Sequence, residues 1–436
     1  MRGWLPVQLT PEKKMKTELI KILIAFILAG IASSEIRSQH LPDSLAVYLE
    51  IAARKNPGVQ KTLFEYQAAL QKVPQAGSLP DPELSAGVFL KPMEVMNGNQ
   101  VADFKLMQMF PWFGVLRNAK DEMSLMANAK YEMFRDAKAQ VSYDVQKTWY
   151  ELFKVREAIR ISERNIEILR TIERLSLVKY KSAGSGLADL YRIQIEILEL
   201  EDNIASLKNQ ERTSVALFNS ILDRDPALPV HVDTIAGNSP VGFAETMDLD
   251  SLLADNPMLK MISYENQSLE ARKRMISGMS YPMVGIGINY ALINKSPMSE
   301  SAMNGSDMVM PMVTVTIPVY RKKYIAMKSE TDLLRSASEQ SYMATSNTLK
   351  AELFGAILDY QDTSRKVKLY ESQCGLAARS LDLLLRDFSS SASSLTDVLR
   401  LRQQIYEYEL DLNESKANLN IASAWITRLM ASSTNQ

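Results

Sequence analysis

Two stretches of the chain carry apolar residues at alternating spacings of three and four, the pattern of helices that pack as coiled coils. The first register consists of Leu190, Ile193, Ile197, Leu200, Ile204 and Leu207. The second consists of Val398, Leu401, Ile405, Tyr408, Leu412 and Ser415, each 208 residues after its counterpart in the first and apolar at all but the last position. Because chance would rarely preserve one register in both places, the pattern predicts two copies of one structural plan.

Each copy is predicted to contain a helix, two strands, a very long helix, a tight turn and a shorter helix. The first helices are predicted over Ser44 to Gly77 and Asp248 to Gly278, within repeats that cover residues 39–240 and 241–436. A helix of about 65 to 70 residues spans roughly 100 Å, and each shorter helix spans about 50 Å. We therefore expect the shorter helices to stack end to end along the long one and form a rod.

Four segments between the helices alternate apolar and polar residues with the period of β-strands. They lie near residues 83–91, 101–110, 283–293 and 308–319. Their length suits tilted strands that cross a bilayer with one face towards lipid and the other towards a polar lumen. Since unpaired backbone groups are costly in lipid, a four-stranded sheet with two open edges would have to share one barrel with other subunits. The same alternation also fits a half-buried sheet in a soluble cap.

Aromatic residues gather where these segments meet the helices. The candidates are Phe110, Trp112, Phe113, Tyr281 and Tyr320. Aromatic side chains at both ends of membrane strands form interfacial girdles, so we interpret these five as residues of a membrane interface.

The N-terminal region has the pattern of a secretory signal peptide. From Met15 onwards, two lysines precede an apolar run from Ile22 to Ala32, and small residues follow it. The run is too short to span a membrane. We expect residues 1–38 to form a leader that is cleaved between about Ala32 and Ser38, with residues 1–14 preceding the true start at Met15.

Composition excludes several classes of function. Lys and Arg number 50 and Asp and Glu number 51, so the net charge of −1 offers no cationic surface for nucleic acid. The chain has one cysteine, Cys374, and two histidines, His40 and His231, too few for a disulfide framework, a zinc site or a catalytic relay. Cys374 falls in the coiled-coil register and is interpreted as a core thiol. We expect no enzyme activity, no cofactor and no metal ligand.

The duplicated plan, the stretch from Gln108 to Gly114, and the turns at Gly186 to Asp189 and Ser394 to Asp397 resemble the outer-membrane efflux proteins, the TolC-like channels of Gram-negative bacteria. The resemblance implies a mainly α fold with a membrane β-barrel, in which a homotrimer builds a twelve-stranded barrel and an α-helical periplasmic tunnel. It also implies a passive exit duct in the cell outer membrane, in contact with its lipid. A periplasmic adaptor and an inner-membrane pump would be the protein partners.

The resemblance assigns roles to the two hairpin turns. Their small residues would form the periplasmic tip and the surface on which the adaptor docks: Ser182, Gly184, Gly186, Ser391 and Ser394. Asp397 matches an aspartate that rings the constriction in the best-known member, and Asp189 is its copy in the first repeat. A ring of such carboxylates would favour cations. Arg400 stands where that member has a second acidic ring residue. Both aspartates fit equally well as residues that cap helix N-termini.

Methionine leaves the cargo open. The chain contains 23 methionines, several of them in or near the strands, and thioethers are soft ligands for Cu⁺ or Ag⁺. The sequence is also similar to outer-membrane components of heavy-metal efflux systems, although methionine equally serves as a flexible filler of apolar surfaces. The alternative function is a periplasmic coiled-coil adaptor or scaffold. Such a protein would carry one helical hairpin flanked by small β-domains, whereas this chain is predicted to carry two hairpins in tandem.

Overall fold

Two very long helices organise the structure, a computed structural model that describes residues 45–181, 186–232, 248–389 and 394–430. The predicted leader and the turn residues Ser182, Gly184 and Ser391 lie outside the described residues. The helices of the first repeat are α1 (Leu45–Lys55), α2 (Pro57–Gly77), α3 (Val115–Lys181) and α4 (Leu187–Ile221). Those of the second are α5 (Leu249–Leu253), α6 (Pro257–Met279), α7 (Arg321–Ser389) and α8 (Leu395–Leu429).

The predicted helix lengths are confirmed for the long pair and the last pair. Helices α3 and α7 contain 67 and 69 residues, and α4 and α8 contain 35 each. At 1.5 Å per residue the long helices extend about 100 Å. Helix α3 packs against α2, α4, α6 and α8, while α7 packs against α6 and α8, so each long helix is paired with a column of shorter ones.

The prediction of one unbroken first helix in each repeat was wrong. The chain leaves the helical conformation at Asn56, where φ is −58° and ψ is 124°, and again at Asn256. Both residues precede a proline, Pro57 or Pro257, which biases the residue before it towards extended backbone and begins a new helix at its own position. Each Asn-Pro pair therefore starts a new helix, although the apolar periodicity alone indicates one continuous helix.

The two asparagines join helices end to end within each repeat. The side-chain oxygen of Asn56 accepts hydrogen bonds from the first turn of α2, and its amide nitrogen donates to the Ile221 carbonyl at the end of α4, at 2.9 Å. Asn256 caps α6 in the same way and donates to the Leu429 carbonyl at the end of α8, also at 2.9 Å. Each repeat thus returns to its own beginning, as predicted, because one side chain satisfies polar groups at two helix termini.

Three apolar cores hold the helices together. The largest joins α3, α4, α7 and α8 and includes Ile193, Val398 and Ile405 from the two predicted registers, all at most 3% exposed. A second core packs α1 against α3 and α4 through Tyr48, Trp149 and other residues. A third core surrounds α5 and the end of α8. The coiled-coil registers therefore mark the interior of the helical part, as the spacing indicated.

The strands form one antiparallel sheet in the order β1-β2-β3-β4. Their bounds are β1 (Glu83–Val95), β2 (Gly98–Phe110), β3 (Met283–Asn294) and β4 (Met308–Thr316). Two hairpins, one from each repeat, meet where β2 pairs with β3 from Asn99↔Asn294 to Phe110↔Val284. In the described chain β1 and β4 are paired on one side only, so the sheet has two open edges.

Among the described residues, no helix is long and apolar enough to cross a membrane.

Candidate functional site

The two faces of the sheet differ in polarity. Residues directly opposite each other in an antiparallel pair share a face, so the register assigns every strand position to one side. One side, here called the apolar face, is solvent-exposed in the protomer. Its large apolar side chains are Leu84, Val88, Phe104, Leu106, Phe110, Val284, Ile286, Ile288, Tyr290, Leu292, Val309, Val313 and Val315. Gln108, opposite Ile286, is a polar residue on the same face. Exposed fractions reach 73% at Val313. A soluble monomer rarely presents an apolar surface of this extent, which marks the face as one that another phase or partner covers.

The opposite side, here called the mixed face, carries polar, charged and methionine side chains. Its polar members are Glu83, Ser85, Asp103, Lys105, Asn289, Thr314 and Thr316, and its methionines include Met107, Met109, Met310 and Met312. A sheet with one apolar face, one mixed face and two open edges is suited to closing with further strands around a polar interior.

The predicted aromatic residues lie at the end of the sheet that joins the helices. Trp112 stacks on Tyr281 with ring centroids 5.1 Å apart and an interplanar angle of 16°, and Phe113 contacts Trp112 edge-on at 5.9 Å. Phe110 ends β2 on the apolar face, opposite Val284. Tyr320 lies between β4 and α7 and is 85% exposed. Trp112 therefore contacts both Phe113 and Tyr281, whereas Tyr320 is exposed at the surface.

At the other end of the long helices, Asp397 takes part in a helix cap. The Ser394 hydroxyl accepts a hydrogen bond from the Asp397 backbone N–H at 3.2 Å and donates to the Asp397 carboxylate at 2.6 Å. This reciprocal pair fixes the first turn of α8. Both side chains remain solvent-exposed. Arg400, also exposed, follows three residues later on the same side of the helix.

Asp189 occupies the matching place in α4 with a different partner. The N-cap there is Gly186, which has no side chain to complete a cap. Asp189 instead lies 3.9 Å from the Arg192 guanidinium, and Arg192 also donates to the Thr396 hydroxyl of α8 at 3.4 Å. The contact between Arg192 and Thr396 joins the two hairpins of the protomer, a role that sequence spacing did not indicate.

A second contact joins the hairpins nearby. The Lys179 ammonium, at the end of α3, donates to the Phe388 carbonyl of α7 and lies 3.8 Å from the centroid of the Phe388 ring. The Lys179 ammonium therefore interacts both with the C-terminal end of α7 and with the π face of a buried aromatic ring. Two hairpins that are far apart in sequence are therefore fastened to each other close to their turns.

A chain of hydrogen bonds crosses the helices above these contacts. The Asn203 amide of α4 donates to the Tyr406 hydroxyl of α8 at 3.1 Å. Tyr406 and Ser162 of α3 are 3.0 Å apart, and Ser162 donates to the Ala158 carbonyl at 2.8 Å. Since Ser162 already uses its hydrogen, Tyr406 is the donor between the two hydroxyls. Three helices are thus linked through one tyrosine, a contact that no residue spacing in the sequence indicates.

Charged groups surround Tyr406 beside a cavity of about 160 Å³. Arg402 is 4% exposed, and burial lowers its pKa while Glu409, 4.0 Å away, opposes that shift. Arg402 Nε and Asn165 Oδ1 have no hydrogen-bond partner in the described part of the chain. Burial raises the pKa of Glu196, which lines the same cavity, and the neighbouring Glu199 raises it further. This polar layer interrupts the apolar core between the hairpins.

The described residues contain no group of three or more His, Cys, Asp or Glu side chains placed to hold a metal ion. Burial, and then Glu409, raise the pKa of the half-buried Cys374 thiol. Cys374 lies outside the three apolar cores and lines a cavity with charged residues such as Glu409 and Lys416, so the prediction of a core thiol was wrong. A thiol is a weak nucleophile until it ionises, and the raised pKa disfavours ionisation.

Comparisons with known proteins rest on structure alone. No protein-family model and no curated protein matches the chain by sequence. The solved structure of CusC, studied for transmembrane channel formation, is 13% identical with a TM-score of 0.75, over 88% of this chain and 91% of that one. The outer membrane protein VceC of Vibrio cholerae is 11% identical with a TM-score of 0.70, over 89% and 96%. The open-state outer membrane channel MtrE of Neisseria gonorrhoeae is 12% identical with a TM-score of 0.71, over 89% of each chain.

The chain therefore has the fold of outer-membrane channel proteins. More particularly, it has the TolC-like arrangement of a small sheet on long helical hairpins, which confirms the resemblance drawn from the sequence at the level of the fold. The mainly helical class with a small sheet is confirmed as well.

Proposed function

We propose that the chain is the outer-membrane channel component of a tripartite efflux pump. Three copies would pool their sheets into a twelve-stranded barrel, and their helices would form a tunnel across the periplasm. A periplasmic adaptor would dock at the hairpin turns, and an inner-membrane pump would deliver the cargo. The protein itself would be a passive duct and not an enzyme.

The two-faced sheet with open edges carries this proposal. In a shared barrel the β1 edge of one copy pairs with the β4 edge of the next, so no backbone group is left unpaired in lipid. The apolar face then contacts lipid, the mixed face lines a polar lumen, and the aromatic group at Trp112 and Tyr281 lies at the membrane interface. The fold shared with CusC, VceC and MtrE supports the same arrangement.

The helical tip would form the periplasmic entrance. Exposed Asp397 and half-exposed Asp189 lie in the first turns of α8 and α4, where threefold symmetry would repeat each carboxylate around an axis. Rings of carboxylates favour cations in pores. The cap made by Ser394 leaves the Asp397 side chain exposed, so capping and a constriction role are compatible.

Adjacent residues on opposite faces of β4 provide the test. Val313→Arg would place a charge on the apolar face and cost about 2–4 kcal/mol per subunit near the middle of a bilayer, whereas Thr314→Arg would place it on the mixed face. We expect Val313→Arg to reduce the yield of outer-membrane trimer in mild detergent and Thr314→Arg to preserve it.

The wild-type protein should fractionate with the outer membrane and conduct ions in planar bilayers. Recovery of the wild type as a soluble monomer, with both arginine variants tolerated, would refute the duct. That outcome would instead favour a soluble sheet on a periplasmic adaptor or scaffold.

A further inference from the structure

Two glycines on the mixed face create a trough between methionine side chains. Gly285 and Gly287 of β3 lie on the mixed face with Met107 and Met109 of β2 on one side. A Cβ atom built on Gly287 would lie 3.0 Å from Met107 Sδ, and one built on Gly285 would lie 3.1 Å from the same sulfur and overlap Met109 Sδ. The two thioethers therefore lean over β3 into space that any larger residue would occupy.

The sulfurs of Met107 and Met109 are close to each other. Each sulfur is close to the position that a Gly285 Cβ would occupy, so the two sulfurs are at most about 5.5 Å apart. With metal–sulfur bonds of about 2.3 Å, two sulfurs on one ion are at most about 4.6 Å apart. A small rotation of either flexible side chain is enough to close that difference.

A third methionine lies in register across the trough. Met312 of β4 is directly opposite Gly287, which in turn is opposite Met107, so the three positions form one row across the sheet. Neighbouring Cβ positions in such a row are about 5 Å apart, and a methionine side chain spans this distance over a glycine. Met107 is 4% exposed, so its sulfur is already withdrawn from water.

The donor set determines the class of ligand. The nearest carboxylate in the row, Glu83 of β1, is opposite Met107 on the side away from β3 and the trough. Three neutral thioethers are poor ligands for Mg²⁺, Ca²⁺ or Zn²⁺, which prefer oxygen, nitrogen or thiolate. Soft ligands of this kind select soft monovalent ions. We propose that Met107, Met109 and Met312 form a site for one Cu⁺ or Ag⁺ ion per protomer.

This site goes beyond the duct function and does not depend on it. All three residues belong to the sheet of a single protomer, so the ion needs neither a barrel nor a pump. Residence at the site is also separate from transport, because a bound ion need not be cargo. The sequence alone assigned no metal ligand, since β2–β3–β4 register is what brings these positions together.

The test is a titration of the purified full chain in detergent with silver nitrate, in chloride-free buffer. Every sample carries Cys374→Ser, because a thiolate would otherwise compete for the ion. The variants are Met107→Leu and Met109→Leu, singly and together, and leucine conserves volume closely enough to preserve packing. Met298→Leu, at a loop position that is 81% exposed, is the matched control.

We expect one Ag⁺ per protomer by calorimetry and elemental analysis. Each single variant should weaken binding by about tenfold or more, and Met298→Leu should leave it unchanged. In protein with ¹³C-labelled methionine methyl groups, Ag⁺ should shift the signals of Met107, Met109 and Met312 first.

Two results would overturn the site. One is a lack of stoichiometric binding in the Cys374→Ser protein with all its methionines intact. The other is undiminished binding in the folded double variant, which would make these methionines apolar filler. Either result would leave channel formation untouched, because conductance is measured separately.

Discussion

Tyr406 offers the sharpest test of how the two hairpins are held together. Replacing it with phenylalanine removes only the hydroxyl that links Asn203 of α4, Tyr406 of α8 and Ser162 of α3. Ser162 is fully buried and keeps its bond to the Ala158 carbonyl but loses the donor that it accepts from. Asn203 is exposed, so water replaces its lost partner. One buried and one exposed hydrogen bond correspond to a loss of about 1–2 kcal/mol.

Hydrogen exchange measures this loss locally. A decrease of about 1–2 kcal/mol in the free energy of opening raises the open population about 5- to 30-fold. We therefore expect faster amide exchange, by mass spectrometry, in the peptides of α8 around Tyr406 and of α3 around Ser162. Peptides of the sheet should exchange at the wild-type rate.

Tyr408→Phe is the matched control. The Tyr408 hydroxyl accepts from Gln404, 2.6 Å away in the same helix, so its loss breaks no link between helices. Equal acceleration in Tyr406→Phe and Tyr408→Phe, or no acceleration in Tyr406→Phe, would refute the idea that this hydroxyl joins the hairpins.

Three further predictions test other parts of the structure. Asp397→Ala should lower the cation preference of the pore in bilayer recordings. Ser394→Ala is the control, because it removes the cap but keeps the carboxylate. Unchanged selectivity in Asp397→Ala would leave only the capping role for Asp397. The raised pKa of Glu196 means that its contribution to stability is favourable below 4.5, its ordinary value, and is lost as pH rises through the raised value. At pH values above neutral, Glu196→Gln should therefore raise the midpoint temperature of unfolding. At pH values well below 4.5 it should leave that temperature unchanged. A rise at low pH alone would contradict the raised pKa of Glu196. Asn256→Ala removes the cap of α6 and the donor to Leu429, and it should cost about 1–2 kcal/mol, so an unchanged unfolding midpoint would count against the junction.

Periodicity was sufficient to find the helices and their interior positions. Ile193 and Ile405, placed in the seam by spacing alone, are buried between the hairpins. The break at Asn56 was missed although its signal was present, since an asparagine followed by proline combines a preferred N-cap with a preferred first helical residue. Regular apolar spacing on both sides of the pair hid this local chemistry.

The contacts between hairpins could not be predicted in the same way. Tyr406 meets Ser162 and Asn203 only because three helices align at one height, and nothing in the local sequence of any of them encodes that height. The pairing of Met107 with Gly287 likewise depends on the register between strands of different repeats. A shift of one residue would move each methionine to the apolar face.

The order asparagine–proline protects the helix junctions from chemical ageing. Spontaneous deamidation begins when the backbone nitrogen of the next residue, after losing its hydrogen, attacks the asparagine side chain to form a cyclic imide. Pro57 and Pro257 have no such hydrogen, so this route is closed at Asn56 and Asn256. Conversion to aspartate would set a carboxylate against the carbonyl oxygen that each amide now serves. The residue that starts each helix therefore also preserves, over the lifetime of the molecule, the donor that holds the neighbouring helix in line.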